Sequence, residues 1–258
     1  MTTLTETAPR LQSTASLAAV WTRFELGYWL REPAAVLLNI AYPLIMLAFF
    51  FISDTGIATN PRAALELLGY LSLVGVLMVC LNFPANGIPD ARASEFYGFS
   101  RTLPVGSAPR LIAWIVTPLI CGLLSSALTF GIGTLFSAAQ PTVADVAVIL
   151  SAALALAIPI TLIGLALGFV LSRKTALAVS LTIAFTMILI GGISGLPMPG
   201  WIEQASRFLP SGAAGAITQD YLAGLALNPV NLVVLAGWSA LGLIAAILLY
   251  RRDQGRSF

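Results

Sequence analysis

The chain has 258 residues, 58% of them hydrophobic and only 9% charged, with a formal net charge of +2. Soluble domains carry roughly 25% charged residues, so this chain has too little polar side chain to cover a water-facing surface. The sparse, balanced charge also gives no basic face for nucleic acid, and the partner to expect is membrane lipid.

Residues 1–16 are polar and lack the apolar core and small-residue cleavage site of a signal peptide, so they read as a short disordered cytoplasmic lead. Residues 17–32 differ. Leu17, Val20, Trp21, Phe24 and Tyr28 recur at helical spacing in one stripe, with Thr22, Arg23 and Glu25 away from it. Such a helix suits the plane of a membrane interface, with Trp21, Phe24 and Tyr28 at headgroup depth and Arg23 and Arg31 toward water. Ser16 is placed to cap its start, and Pro33 disfavours helix at Glu32, so the chain bends there. The alternative is one long first helix with a wet end.

Six apolar stretches follow, at about 34–53, 67–87, 111–137, 146–172, 175–195 and 230–250. Each supplies the roughly 20 residues that a helix needs to cross about 30 Å of hydrocarbon. The expected fold is therefore an all-α integral membrane protein whose single six-span domain covers 17–258. Basic residues cluster in alternate gaps. Arg10, Arg23, Arg31, Arg92, Arg101, Arg110, Arg173, Lys174, Arg251, Arg252 and Arg256 fall on one side, against Arg62 and Arg207 on the other. Basic flanks are retained in the cytoplasm, so both termini are expected on the cytoplasmic side of a plasma or inner membrane.

The link from Asp90 to Arg110 reads DARASEFYGFSRTLPVGSAPR. Phe96, Phe99 and Leu103 share one helical face beside Tyr97, flanked by Glu95 and Arg101, until Pro104 ends the helix. Charge-flanked aromatics suit docking to another protein; the alternative is a helix with its aromatics in lipid. After the fifth stretch, 196–229 holds two short helix-compatible pieces separated by Leu209, Pro210, Ser211 and Gly212, the first with Glu203 and Arg207 at i, i+4. Trp201, Phe208 and Tyr221 suit the outer interface.

The spans narrow the chemistry. Their interior polar residues are neutral, and Asn39, Tyr42, Asn82, Asn86, Thr182 and Thr186 are candidates to line a pathway. No acid, histidine or lysine sits at membrane depth to carry a coupling proton. Cys80 and Cys121 read as packing residues. The segment GFVLSRKT, residues 168–175, approaches a phosphate-binding loop, but Arg173 stands where the second glycine is required, and the segment ends an apolar span. The chain thus has no ATPase site, and no catalytic or metal-binding residue is assigned. A lipid-modifying membrane enzyme would need paired carboxylates or a nucleophile with its base, which are not visible. A non-transport scaffold remains the other class.

The elbow WTRFELGYWLREP, the link SEFYGFSRTLPVGSAPR and the late segment LPMPGWIEQASRFLP together resemble permease subunits of type 2 ATP-binding cassette (ABC) exporters, particularly the drug and antibiotic export branch. The resemblance implies an elbow helix on the cytoplasmic leaflet, short outer re-entrant helices before the sixth span, and a coupling helix seated on an ATPase. Glu95, Phe96, Tyr97, Phe99, Arg101 and Pro104 fall on that coupling helix. It further implies two permeases, identical or related, with two cassette ATPase subunits that bind ATP and magnesium, and the cargo is expected to be an amphipathic drug or natural product, or else a lipid or lipid-linked glycan.

Overall fold

A computed structural model of the protein describes residues 13–33, 37–94, 108–192 and 199–254. In chain order it contains α1 (Thr14–Leu30), a π-helical turn (Leu37–Ala41), α2 (Tyr42–Ser53), α3 (Thr55–Thr59), α4 (Pro61–Arg92) and α5 (Ala108–Leu135). There follow α6 (Val143–Val170), α7 (Arg173–Ile190), α8 (Gly200–Ser206), α9 (Pro210–Leu222) and α10 (Pro229–Gln254). No strand occurs among the described residues. Helices α4, α5, α6, α7 and α10 are long and apolar enough to cross a bilayer, so this is a helical multi-pass membrane protein.

The helix starts are written locally. Asn60 accepts from the backbone N–H groups of Arg62 and Ala63, with Pro61 preset for the first turn of α4. Thr142 and Asp145 form a reciprocal capping box at the start of α6. Helix α1 begins earlier than the sequence suggests. Ser13, not Ser16, is its cap, accepting from the N–H of Ser16 at 3.2 Å. Residues 14–16 therefore belong to the helix and not to a disordered lead, while 1–12 lie outside the described residues.

The first expected span also departs from a simple helix. Residues 37–41 form a π turn and only Tyr42–Ser53 is α-helical, giving a shorter apolar helix; 34–36 lie outside the described residues. Pro43 explains the change. It has no N–H to return to the carbonyl of Asn39, so the i to i−4 ladder breaks there.

Contacts between helix ends establish the alternation. The C-terminal ends of α4, α6 and α10 meet through Arg92, Phe169 and Asp253, and the N-terminal ends of α5 and α7 join them through Trp114 and Arg173. At the opposite end Ala138 N–H reaches the carbonyl of Ala58, and Ser211 packs against Gly191. Arg92, Arg110, Arg173, Arg251 and Arg252 consequently gather at one end, with Arg62 and Arg207 at the other. The first group marks the link end, since the chain leaves it at Ser94 and returns at Ala108.

Helix α4 is the axis of the bundle. It packs against α2, α5, α6, α7 and α9, and 83% of its most apolar stretch is buried. Leu73, Val76, Leu77 and Leu81 of α4 meet Leu156 and Ile160 of α6 in the main core. Glycine permits that approach. A Cβ on Gly164 would lie 2.6 Å from the carbonyl oxygen of Leu81, and one on Gly168 would lie 2.5 Å from that of Pro84.

The late segment is ordered as two short helices. The break between them falls at 207–209, narrower than the sequence indicates, because Pro210 opens α9 instead of interrupting it. Helix α9 is buried against α4, α6, α7 and α10. Ser211 donates to the carbonyl of Met187 at 2.9 Å, whereas Trp201 and Phe208 remain exposed.

Candidate functional site

Two groups of polar side chains stand out, one inside the bundle and one at the link end. The inner group is a neutral seam between the π turn, α4 and α7. Asn82 Nδ2 donates to Asn39 Oδ1 at 3.4 Å and approaches Met78 Sδ at 3.7 Å. One turn along α4, Asn86 Nδ2 donates to Ser180 Oγ on α7 at 3.2 Å and to the carbonyl of Asn82 at 2.8 Å. The rings of Tyr42 and Phe185 meet edge to face with centroids 5.5 Å apart. Asn39 and Asn82 are both buried, and among the described residues the Oδ1 of Asn82 has no hydrogen-bond partner. A buried amide oxygen among apolar neighbours favours a hydrogen-bond donor beside it. Asn82 lies ten residues before Arg92, or about 15 Å along the helix.

Of the six expected pathway residues, the structure brings Asn39, Asn82 and Asn86 together, with Tyr42 beside Phe185. Thr182 and Thr186 lie elsewhere, on the exposed face of α7. Their hydroxyls donate to the carbonyls of Ala178 and Thr182 in the same helix, which satisfies them without any partner helix. Ser180 is the seam residue that sequence reading missed. It sits two positions from Thr182 on the opposite face of α7, and its burial is set by contact with α4.

The second group surrounds the roots of the link. Helix α1 follows the first half of α5 instead of crossing it at one turn. The guanidinium of Arg110 lies over the rings of Trp21 and Trp114, 5.5 and 4.9 Å from their centroids. Glu25 Oε1 accepts from Trp114 Nε1 at 3.2 Å. Further along, Trp29 is buried in a cluster with Cys121 and Val79. Burial pushes the Glu25 carboxyl above its ordinary range, partly offset by the Trp114 hydrogen bond and the charge of Arg110.

Much of the aromatic stripe read from the sequence is thus the outward side of α1, although Leu17 and Trp21 are half-buried and Trp21 meets Arg110. Val20, Phe24 and Tyr28 are exposed, as are Arg23 and Arg31, while Ala18, Thr22, Glu25 and Trp29 face α5. The spacing 18, 22, 25, 29 is a helical stripe in its own right, whose polar Thr22 and Glu25 hide it in the hydropathy pattern.

At the other root, Arg92 pairs with buried Asp253 of α10 at 3.0 Å and donates to the carbonyl of Phe169 at 3.0 Å. Arg173 pairs with Asp90 at 2.7 Å. These two pairs, among the described residues, are the ones that join different helices. The coupling residues expected from sequence, Glu95, Phe96, Tyr97, Phe99, Arg101 and Pro104, lie outside the described residues. Compared with models of known protein families and with curated proteins, the chain has no match.

Proposed function

We propose that the chain is the permease subunit of a type 2 ABC exporter, working as a pair of permeases driven by two separate cassette ATPase subunits. In this reading the apolar stretch that includes α2 is the first of six spans, α1 is the elbow, α8 and α9 are the outer re-entrant pair, and the link end faces the cytoplasm. One observation carries it. Among the described residues, the ion pairs between helices sit around the roots of 95–107, whereas the seam inside the bundle holds only neutral amides and a hydroxyl. That division suits a conduit that receives force at one end and handles cargo within.

The chemistry of the seam selects the cargo class. Neutral amide side chains suit the hydroxyl, amide or ester groups of a cargo, and Tyr42, Phe185 and Met78 suit its apolar body. An amphipathic drug or natural product without a phosphate fits better than an ion, with a lipid-linked glycan or lipid as the alternative cargo. ATP and magnesium belong to the ATPase partner, where they supply the free energy that shifts the permease pair between two arrangements.

The test is to copurify the chain with its cassette ATPase and measure ATP turnover in vesicles with neutral amphipathic compounds. We expect turnover to rise with compound, and the double reversal Glu95→Arg with Arg101→Glu to abolish that rise while leaving membrane insertion intact. A chain that moves compounds without any ATPase, or a double variant stimulated like the parent, would sink the assignment.

A further inference from the structure

The amide seam ends in a pair of rings. The π turn with α2 packs on α4, and α7 packs on α4 as well. Tyr42, the first residue of α2, and Phe185 of α7 join these two elements edge to face, with centroids 5.5 Å apart. Tyr42 directly follows the π turn, and such turns recur at functional sites.

The rings and the amides share one level. Phe185 lies twelve residues after Arg173, about 18 Å along α7, and Asn82 lies ten before Arg92, about 15 Å along α4. Arg92 and Arg173 mark the same end, so both positions fall near the middle of a hydrocarbon layer of about 30 Å. Lipid offers no hydrogen bonds at that depth. A polar group carried there beside the rings finds its partners in the seam.

The two rings differ in exposure. Tyr42 is half-buried against the main core, whereas Phe185 is 39% exposed. On the same exposed face Thr182 and Thr186 bond their own helix, and across the seam Asn86 of α4 is only half-buried. A third ring can therefore lie on Phe185 without parting the existing pair. Aromatic rings attract one another through the positive edge of one and the negative face of the other, and an alkyl chain has no such quadrupole. The bilayer supplies alkyl chains on every side, so what this surface adds is a preference for rings.

We propose that Tyr42 and Phe185 form a platform for the ring of an amphipathic compound whose hydroxyl or amide groups meet the amides of the seam. The site takes aromatic amphiphiles in preference to alkyl ones. The inference deepens the permease reading, which makes the bound compound cargo.

The probes are hexylresorcinol and dodecanediol, which match in carbon number and hydroxyl count and differ in the ring. Binding is measured by equilibrium dialysis on the chain in nanodiscs, with empty nanodiscs as background, and ATP turnover on the chain copurified with its cassette ATPase. The parent should bind hexylresorcinol about fivefold more tightly than dodecanediol, the scale of one aromatic pair. Tyr42→Leu and Phe185→Leu keep an apolar side chain and should each weaken hexylresorcinol by about that factor, with dodecanediol held within about twofold. Tyr42→Phe keeps the ring and should keep the preference. Equal binding of both compounds by the parent would make the surface a lipid-facing one and overturn the proposal. So would an equal loss of both compounds in the leucine variants, or leucine variants that no longer fold, because the rings would then serve packing alone. Ring-selective binding with ATP turnover indifferent to either compound would uphold the platform and remove the permease reading instead.

Discussion

Helices α4 and α10 are almost equally apolar, yet 83% of the most apolar stretch of one is buried and 17% of that of the other. Hydropathy reports that a segment leaves water; it does not report whether its neighbours are protein or lipid. The difference lies in what each helix asks of its surroundings. Helix α4 carries Pro84 and Pro89 within its length, each leaving a carbonyl without its usual N–H, and places Asn82 where only another helix can answer it. Helix α10 has no internal proline to interrupt its backbone ladder, and Ser239 donates to the carbonyl of Leu235 in its own backbone. It bonds to other elements through Trp238, to the carbonyl of Phe208, and through Asp253, to Arg92. A helix with an uninterrupted backbone ladder can face lipid.

The sharpest way to break this contrast is to add bulk at contacts with each helix. Gly164→Leu drives a side chain into the backbone of α4 at Leu81 and should destabilise the bundle by about 3 kcal/mol. At Gly237 on α10 an added Cβ meets nothing within 4 Å, so Gly237→Leu should be close to neutral. Thermal unfolding in lipid nanodiscs compares the two; equal losses would mean that the face of α10 around Gly237 is a packed interface.

A smaller effect separates the polar groups. Asn82→Leu removes the amide that joins α4 to the π turn and should cost about 1 kcal/mol, in the upper part of the range for interhelical hydrogen bonds in membranes. Ser239→Ala on α10 removes a bond internal to one helix, with an expected change below about 0.5 kcal/mol. The same pair of variants sharpens the functional reading. Under it, Asn82→Leu lowers compound-stimulated ATP turnover and Ser239→Ala leaves it unchanged.

Much of the fold could be read from the chain because bilayer thickness imposes a length that sequence displays directly. The stretches at 67–87, 111–137, 146–172 and 230–250 each lie inside an observed helix or overrun its end by two residues. The stretch at 175–195 matches α7 as far as Ile190, with residues 193–198 outside the described part. The interruption at 37–41 was less legible, since Pro43 announces a break in the ladder without saying whether the turn becomes π or merely kinks. The seam was half legible. Asn39, Asn82 and Asn86 declare themselves as amides in apolar runs, but Ser180, Thr182 and Thr186 look alike in sequence, and only the packing of α7 on α4 distinguishes the buried hydroxyl from the exposed ones. Partners 89 residues apart, such as Glu25 and Trp114, leave no local trace at all.

Helix α1 refines the contrast, because it is peripheral and, like α10 with its Asp253, presses a carboxylate against its neighbour. The pKa of Glu25 is raised by burial, so the folded chain holds the proton more tightly than the unfolded chain does. Its contribution to stability is therefore full below the ordinary glutamate range and is lost as pH rises through the elevated folded value. Acidification from neutral pH should raise the Tm of the parent relative to Glu25→Gln, which has no proton to take up, and the two curves should converge only where the parent carboxyl is protonated. The shift should be the smallest of these effects, because the Trp114 hydrogen bond and the nearby Arg110 both favour the charged form and oppose the burial. Parallel Tm profiles for the two proteins would mean that water reaches Glu25, and that the side of α1 facing α5 is as solvated as its outer stripe.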